Sequence, residues 1–258
     1  MADTLNNVGV VILAAGKGKR MQATSQQPKV LVPLAGRPMI SYLLDSIEQS
    51  LLNIKPVIVI APDLEIISRS LGSRCQYVIQ EEQRGTGHAV QTAQANLLDY
   101  KHVLVLYGDH PFVSADCIRK IISCHLRDEA VLTLATVKVP DFNEWRVGFS
   151  HFGRIVRDDN GQIQRIVEHK DATDDEKQIT EVNPSYFCFN AQWLWEHLPL
   201  LDCRNAQNEY YLTDLVELAL KQNDRLTSLT LDNPHEALGI NTLEQLALAE
   251  QFVANCRI

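Results

Sequence analysis

The chain has 258 residues, 45% of them apolar and 22% charged, with a formal net charge of −8. A core of that size holds without a disulfide or metal staple, and the acidic balance argues against a nucleic-acid partner, which calls for a basic surface to replace phosphate counterions. No run approaches the ~20 apolar residues of a membrane helix, no basic-then-apolar leader opens the chain, and the six cysteines lack CxxC or metal-ligand spacing, so the expected setting is the reducing cytoplasm.

Short apolar runs alternate with amphipathic stretches, the pattern of βαβ units on a mainly parallel sheet. Val8 to Leu13 is continuous rather than alternating and predicts a first strand buried on both faces. A polar loop follows, then a helix from about Pro38, where proline suits the first turn. Pro56–Ile60 predicts a second strand, 64–71 a helix, Tyr77–Ile79 a short third strand and 87–97 a helix. His102–Leu106 predicts a fourth, central strand running into Tyr107-Gly-Asp109. Ser114 is placed to cap the next helix, and 130–139 returns as a strand. Beyond 140 the character changes. Arg154–Arg157 and Gln162–Glu168 flank Asp158-Asp-Asn-Gly161, a hairpin turn sequence. Glu181–Asn190 predicts one strand, Tyr211–Gln222 a helix and Leu226–Leu231 a late strand. The last helix runs from about Leu243 to Cys256, opened by Thr242 and Gln245 in capping-box spacing. We therefore expect a three-layer α/β fold, Rossmann-like, with a mixed and mainly parallel sheet. It should form a single domain over 1–258, made of a lobe at 1–140, a second lobe at 141–242 and a C-terminal helix at 243–258.

Gly16-Lys-Gly-Lys-Arg-Met21 follows the first strand directly. Glycines let backbone amides approach a phosphate closely, and Lys17, Lys19, Arg20 and then Lys29 concentrate positive charge in an otherwise acidic chain. One triphosphate needs only such a local patch, whatever the net charge. The spacing fits neither G-x-x-x-x-G-K-[ST] nor a dinucleotide fingerprint, which needs a third glycine where Met21 stands. A solvated basic loop is the alternative at this point.

Leu13-Ala-Ala-Gly-Lys-Gly-Lys-Arg-Met21 with Pro28-Lys-Val-Leu31 resembles the signature of the sugar nucleotidyltransferases. The likeness continues in order through Gln80-Glu-Glu-Gln-Arg-Gly-Thr-Gly-His-Ala89, Leu106-Tyr-Gly-Asp109, Gly153-Arg-Ile155, Ile166–Ala172, Asn205-Ala-Gln207, Glu209–Asp214 and Gly239-Ile-Asn241. Each motif is weak and the order is strong. Among these enzymes the chain is most similar to the uridylyltransferase domain of bifunctional N-acetylglucosamine-1-phosphate uridylyltransferases, and it is expected to lack their left-handed β-helix acetyltransferase half. Without that half their trimer cannot be assumed.

The resemblance implies Mg²⁺-dependent transfer of a nucleotidyl group, UMP from UTP, to a sugar-1-phosphate, giving a nucleotide-sugar such as UDP-GlcNAc and pyrophosphate. The partners are then small molecules, with no nucleic acid or membrane. Such a phosphate nucleophile is already anionic, so catalysis rests on positioning and charge neutralisation rather than on a general base. By resemblance Lys17, Arg20 and Lys29 are catalytic cations. Leu13, Ala14, Ala15, Gly16, Gln80, Gly85, Thr86, Tyr107 and Gly108 bind the nucleotide. Gly153, Glu168, Asn183, Tyr211 and Thr213 contact the sugar, and Asp109 and Asn241 hold Mg²⁺, which favours a few protein oxygens plus substrate phosphates. An amide such as Gln80 could also read another base, so GTP or CTP stays open, as does a nucleotide-sugar-binding regulator without turnover. His88, His110 and His169 lack close ligand spacing and are expected to be surface or structural residues.

Two features depart from the pattern. The family's Asn-Thr-Gly at the sugar site is Asn183-Pro-Ser185 here, where proline removes a backbone donor and fixes φ. The aromatic segment Asp141–His151 is longer than its counterpart, either as a lid beside the sugar site or as a surface elaboration.

Overall fold

In a computed structural model, which describes residues 7–16, 21, 27–50, 52, 54–62 and 65–256, the apolar run at the start of the chain is strand β1 (Val8–Leu13), buried along its whole length. Two-residue strands β2 (Pro33–Leu34) and β3 (Arg37–Pro38) make a small hairpin ahead of helix α1 (Met39–Gln49). Then come β4 (Val57–Ile60), α2 (Glu65–Leu71), β5 (Gln76–Ile79), α3 (Thr86–Thr92), β6 (His102–Tyr107), α4 (Ala115–Arg127) and β7 (Leu132–Lys138). The second half adds β8 (Gly153–Arg157), β9 (Ile163–Val167), β10 (Glu181–Asn183), β11 (Phe187–Asn190), α5 (Ala191–His197), α6 (Asp214–Lys221), β12 (Leu226–Thr230) and α7 (Leu243–Cys256).

One ten-stranded sheet in the order β5-β4-β1-β6-β11-β7-β10-β8-β9, with β12 on the other edge of β7, joins both halves. Strands β5, β4, β1 and β6 are parallel, whereas β11 and β10 are antiparallel to their neighbours, so the sheet is mixed as expected. Helices cover both faces: α1 packs against α4, while α3 lies on β1 and β4 and α5 on β6 and β11. No helix among the described residues is long and apolar enough to cross a membrane, and Cys75, Cys117, Cys124, Cys188 and Cys203 are free thiols.

Most elements fall where the sequence puts them. Ser114 caps α4 by accepting from the Cys117 amide at 3.0 Å. Gly161 takes φ +78° in the β8–β9 turn, the left-handed conformation that a tight hairpin requires. The Thr242–Gln245 capping box forms: the Gln245 amide donates to Thr242 Oγ1 at 3.2 Å, and Gln245 Oε1 accepts from the Asn241 and Thr242 amides at 2.6 and 3.1 Å.

Three expectations need correction. The strand predicted over 181–190 is two strands, β10 and β11, which pair with different partners. The break falls at Pro184, which has no amide to give to a ladder, and at Ser185, whose φ of +66° turns the chain. The helix predicted from Tyr211 begins at Asp214, after a turn over 211–213. The helix predicted over 87–97 starts at Thr86 and ends at Thr92, and the chain continues through a separate 3-10 turn at Gln94–Asn96.

The segment over 141–151 forms 3-10 turns that pack against α7 and the turn Pro234–Ala237. Trp145 stacks on His235 with ring centroids 4.0 Å apart, His235 stacks on Phe252 at 4.5 Å, and Phe252 meets Phe112 edge-on at 4.9 Å. Phe149 is fully buried, and a side chain on Gly148 would meet Gln245 Nε2 at 2.9 Å. The aromatic insertion thus braces α7 at both ends, beside Gln245 near its start and through His235 at Phe252 near its end.

Candidate active site

The chain runs from β1 outward to β4 and β5 and then returns to the other side of β1 as β6. The carboxyl ends of β1 and β6 therefore flank a reversal of strand order, the place where open α/β sheets take their ligands. The register sets Leu13 opposite Tyr107. A cavity of about 560 Å³ opens there, lined by Leu13, Ala14, Ala15, Gly16, Lys29, Gln80, Gly85, Thr86, Tyr107 and Asp109 together with Val30, Gln83, Ala89 and Glu209. Ten of the residues singled out by sequence thus converge on one space. Lys17 and Arg20 lie outside the described residues.

Each wall has a local cause. The Gly108 amide donates to Leu13 O at 3.1 Å, and the missing side chain at Gly108 lets Val30 Cγ1 and Ile40 Cδ1 approach to 3.0 and 3.3 Å of where a Cβ would stand. This close approach seats the 3-10 turn Lys29–Leu31 against the end of β6. Lys29 Nζ then donates to Asp109 Oδ2 at 2.5 Å and to Asn241 Oδ1 at 2.9 Å. Asn241 is delivered by a tight passage: the Ile240 amide donates to Asp109 O at 2.9 Å, and a Cβ on Gly239 would stand 2.6 Å from His110 Nε2.

Burial acts to raise the Asp109 carboxyl, but the Lys29 charge and then His110 outweigh it and hold its pKa below the ordinary value. Asp109 is therefore an anion in a low-dielectric setting, where its pull on a cation is strong. His110 is buried, and burial lowers its pKa despite the nearby Asp109. Tyr186 Oη donates to Glu236 O at 2.9 Å and lies 2.6 Å from His110 Nδ1, which assigns the Nδ1–H tautomer to this imidazole. It is a structural residue, as the sequence suggests.

The far wall is a loop clamped by backbone. Tyr210 N donates to Arg84 O and Gly87 N to Tyr210 O, both at 2.8 Å. Gly85 sits between them at φ +110°. Gln80 is buried, with Nε2 at 3.2 Å from Gly85 O and 3.0 Å from His88 Nδ1. Thr86 Oγ1 accepts from the Leu212 amide at 3.0 Å. His88 therefore orients Gln80, a role that spacing alone did not reveal. Gln83 and Glu209 were also not singled out, although both stand inside quoted motifs.

The residues assigned to the sugar form a second cluster beside this cavity. Asn183 pairs with Gly153 across β10 and β8, and a Cβ on Gly153 would come within 3.5 Å of Glu168 Oε1. Thr213 Oγ1 donates to Glu168 Oε1 at 3.0 Å, and Tyr211 Oη donates to Asp171 at 3.3 Å. Glu168 and Tyr211 also line a separate cavity of about 410 Å³ with Asp171 and Asp214. Tyr107 links the clusters: burial and then Glu168 push its phenol up, while Ser185 and Thr86 act in the opposite sense through hydrogen bonding. Ser185 keeps the turn of a glycine at this position. Its left-handed φ costs about 1–2 kcal/mol for an L-residue, and it is held by the Asn183 carboxamide, whose Oδ1 accepts from the Ser185 amide at 2.9 Å.

Carboxylates crowd the second cluster. Asp214 is pushed up to about 6, first by burial and then by Glu168, Asp202, Glu217 and Asp171. A folded-state pKa above the ordinary 3.8 means that Asp214 favours the fold fully below about pH 4, and that this contribution is lost as pH rises through 6. Asp214→Asn is accordingly expected to raise the melting temperature at pH 8, by roughly 2–4 °C for a contribution on the order of 1 kcal/mol after solvent screening. At pH 4 the two proteins should melt together. A pH series of calorimetric melts checks this, and equal melting at pH 8 would refute it.

Among the described residues no three His, Cys, Asp or Glu side chains converge as a metal cage. The oxygen pair Asp109–Asn241 already closes on one cation, the Lys29 ammonium. Two hard oxygens beside a cavity with room for a nucleotide suit Mg²⁺, which keeps its other sites for water and phosphate.

Fold and site together define a nucleotidyltransferase with the α/β architecture of the nucleotide-diphospho-sugar transferases. The chain belongs to the family of the MobA-like NTP transferase domain, whose model matches residues 10–197. Relatives called "Bifunctional protein GlmU" match almost all of it. That of Caldicellulosiruptor saccharolyticus is 38% identical over 93% of this chain and 50% of its own length. That of Bacillus subtilis is 36% identical over 94% and 51%, and that of Desulfotalea psychrophila 37% identical over 95% and 70%. The chain spans about half the length of most of the curated relatives it matches.

Proposed function

We propose that the chain transfers a nucleotidyl group, UMP from UTP, to a sugar-1-phosphate, giving UDP-GlcNAc or a related nucleotide-sugar and pyrophosphate. One observation carries this reading: Lys29 and Asp109 line the same cavity as Leu13–Gly16, and Lys29 joins Asp109 to Asn241. In this reading residues 1–140 hold the nucleotide and residues 141–242 the sugar. An oxygen of the sugar phosphate attacks the α-phosphorus in line. The P–O bond to the β-phosphate breaks, and pyrophosphate leaves with that electron pair. No proton transfer is needed, so the protein's task is to hold two anions together and to spread the leaving charge.

Each residue has its part. The backbone of Ala14–Gly16 with Lys17 and Arg20 cradles the triphosphate, and Lys29 reaches the phosphates nearest the reacting centre. Mg²⁺, held by Asp109 and Asn241, neutralises phosphate charge when bound. Gln80, with Gly85 and Thr86, reads the base edge. Glu168 and Asn183 accept and donate hydrogen bonds to sugar hydroxyls, and Thr213 steadies Glu168. Small-molecule substrates suffice for this chemistry.

A matrix of each NTP against a panel of sugar-1-phosphates with Mg²⁺, followed by pyrophosphate release, tests it. Release is expected with UTP and an amino-sugar phosphate. Silence from every pair would remove the enzyme reading, and release with a purine nucleotide alone would remove the uridine assignment. Because Asn183-Pro-Ser185 departs from Asn-Thr-Gly, the double change Pro184→Thr and Ser185→Gly is expected to shift acceptor preference towards GlcNAc-1-phosphate. An unchanged ranking would exclude a specificity role for this turn.

A further inference from the structure

Lys29 stands where the proposed metal belongs. Its backbone is fixed by a 3-10 turn whose carbonyls accept from Leu31 and Val32 (Leu31 N to Pro28 O 2.9 Å, Val32 N to Lys29 O 3.1 Å) and whose Val30 and Leu31 are buried. The ammonium touches both metal-assigned oxygens, Asp109 Oδ2 at 2.5 Å and Asn241 Oδ1 at 2.9 Å. The side chains of the pair are only 14% and 11% exposed, so water screens the contact poorly. A magnesium ion bonds such oxygens at about 2.0–2.1 Å. A divalent ion on Asp109 Oδ2 and Asn241 Oδ1 would stand within a few ångströms of the Lys29 ammonium, which repels it and would have to give up both hydrogen bonds, so the two cations compete for these oxygens.

We infer that Lys29 is a built-in counter-cation that closes the metal site to free Mg²⁺ and gives it up only when nucleotide phosphates draw the ammonium away. The inference rests on the reading of Asp109 and Asn241 as metal ligands. It makes metal and nucleotide binding reciprocally cooperative: the phosphates repay Lys29 for the oxygens it leaves, and the metal takes those oxygens. Couplings of this sort typically amount to about 5–150-fold in affinity. A second consequence is economy of charge. With Lys29 on it before substrate binds and the metal on it afterwards, the buried Asp109 is never an unpaired anion.

The probe is Mn²⁺, a paramagnetic stand-in with the same preference for oxygen ligands. It is titrated without nucleotide into the full chain and into Lys29→Met and Lys29→Gln, with free Mn²⁺ read by electron paramagnetic resonance. Lys29→Gln can still donate to either oxygen, so it guards against a folding loss in Lys29→Met; circular dichroism melts report which variant is folded. The expected result is weak binding by the parent chain and at least tenfold tighter binding by the folded neutral variant, with the gain abolished by adding Asp109→Asn. Equal affinity in parent and neutral variants overturns the inference. A repeat with UTP then separates the two claims. If Mn²⁺ binding in the presence of UTP still depends on Asp109, the metal assignment stands and only the role of Lys29 falls. If it does not depend on Asp109, both fall.

Discussion

Asp109→Asn should lower turnover about 10³-fold while the protein stays folded. Asparagine keeps the shape of the side chain and a carbonyl oxygen for Lys29, but removes the negative charge that draws cations to the end of β6. In the proposed reaction that charge acts on a site where two anions must meet, and one such electrostatic element is worth about 2.7–4 kcal/mol of barrier, up to about 10³-fold in rate. The choice of asparagine over alanine matters. Alanine would leave Lys29 buried beside a void, and breaking a buried pair by deleting one partner costs about 3–5 kcal/mol of stability, enough to confuse lost catalysis with lost fold. The neighbouring scaffold is untouched, because Ile240 N donates to the backbone carbonyl of Asp109 rather than to its carboxylate. Steady-state kinetics of pyrophosphate release together with thermal melts decide the matter. Turnover surviving within a few-fold in a folded Asp109→Asn protein would show that Asp109 is not the ligand we take it to be.

The architecture was largely legible because its signals are local. A continuous apolar run of six residues such as Val8–Leu13, followed by a glycine-rich loop, reads as a strand buried on both faces. What the sequence could not supply was set by contacts between distant segments. The break between β10 and β11 depends on which neighbours each strand finds, and apolar pattern alone reads straight across it. The packing of Trp145 on His235, which in turn stacks on Phe252, joins residues about ninety positions apart, so a segment that reads equally as lid or decoration becomes a brace only in three dimensions. The site shows the same division. Lys29, Asp109 and Asn241 were each picked out through the family resemblance, but their meeting at one point is a property of the fold. His88 beside Gln80 shows what escaped: a histidine without ligand spacing carried no signal in sequence, yet one hydrogen bond makes it the support of the Gln80 amide, to which we assign the base edge.

Gly85→Ala should release the loop that clamps the base side of the cavity. Gly85 has φ +110° and ψ 177°, a region open essentially to glycine alone and costing other residues about 1–3 kcal/mol. A methyl group there would also stand 2.6 Å from Tyr210 O and 2.7 Å from Tyr210 N. Overpacking of that severity adds about 1–3 kcal/mol if nothing moves. The alternative is to give up the two backbone hydrogen bonds, Tyr210 N to Arg84 O and Gly87 N to Tyr210 O, at about 0.5–1.5 kcal/mol each. Letting go is the cheaper course, so the variant should fold with residues 84–87 detached from the segment over 209–212. Gln80 then loses its Gly85 carbonyl and Thr86 its Leu212 amide. We expect the melting temperature to fall by roughly 5 °C and the KM for the nucleotide to rise at least tenfold, with kcat at saturating nucleotide changing much less. That split follows from the proposed function: there the loop shapes the nucleotide's seat, and none of the hydrogen bonds named here goes to Lys29, Asp109 or Asn241. An unchanged KM would mean that the nucleotide does not lie along this wall, and an unchanged melting temperature would mean that the clamp contributes nothing to the fold.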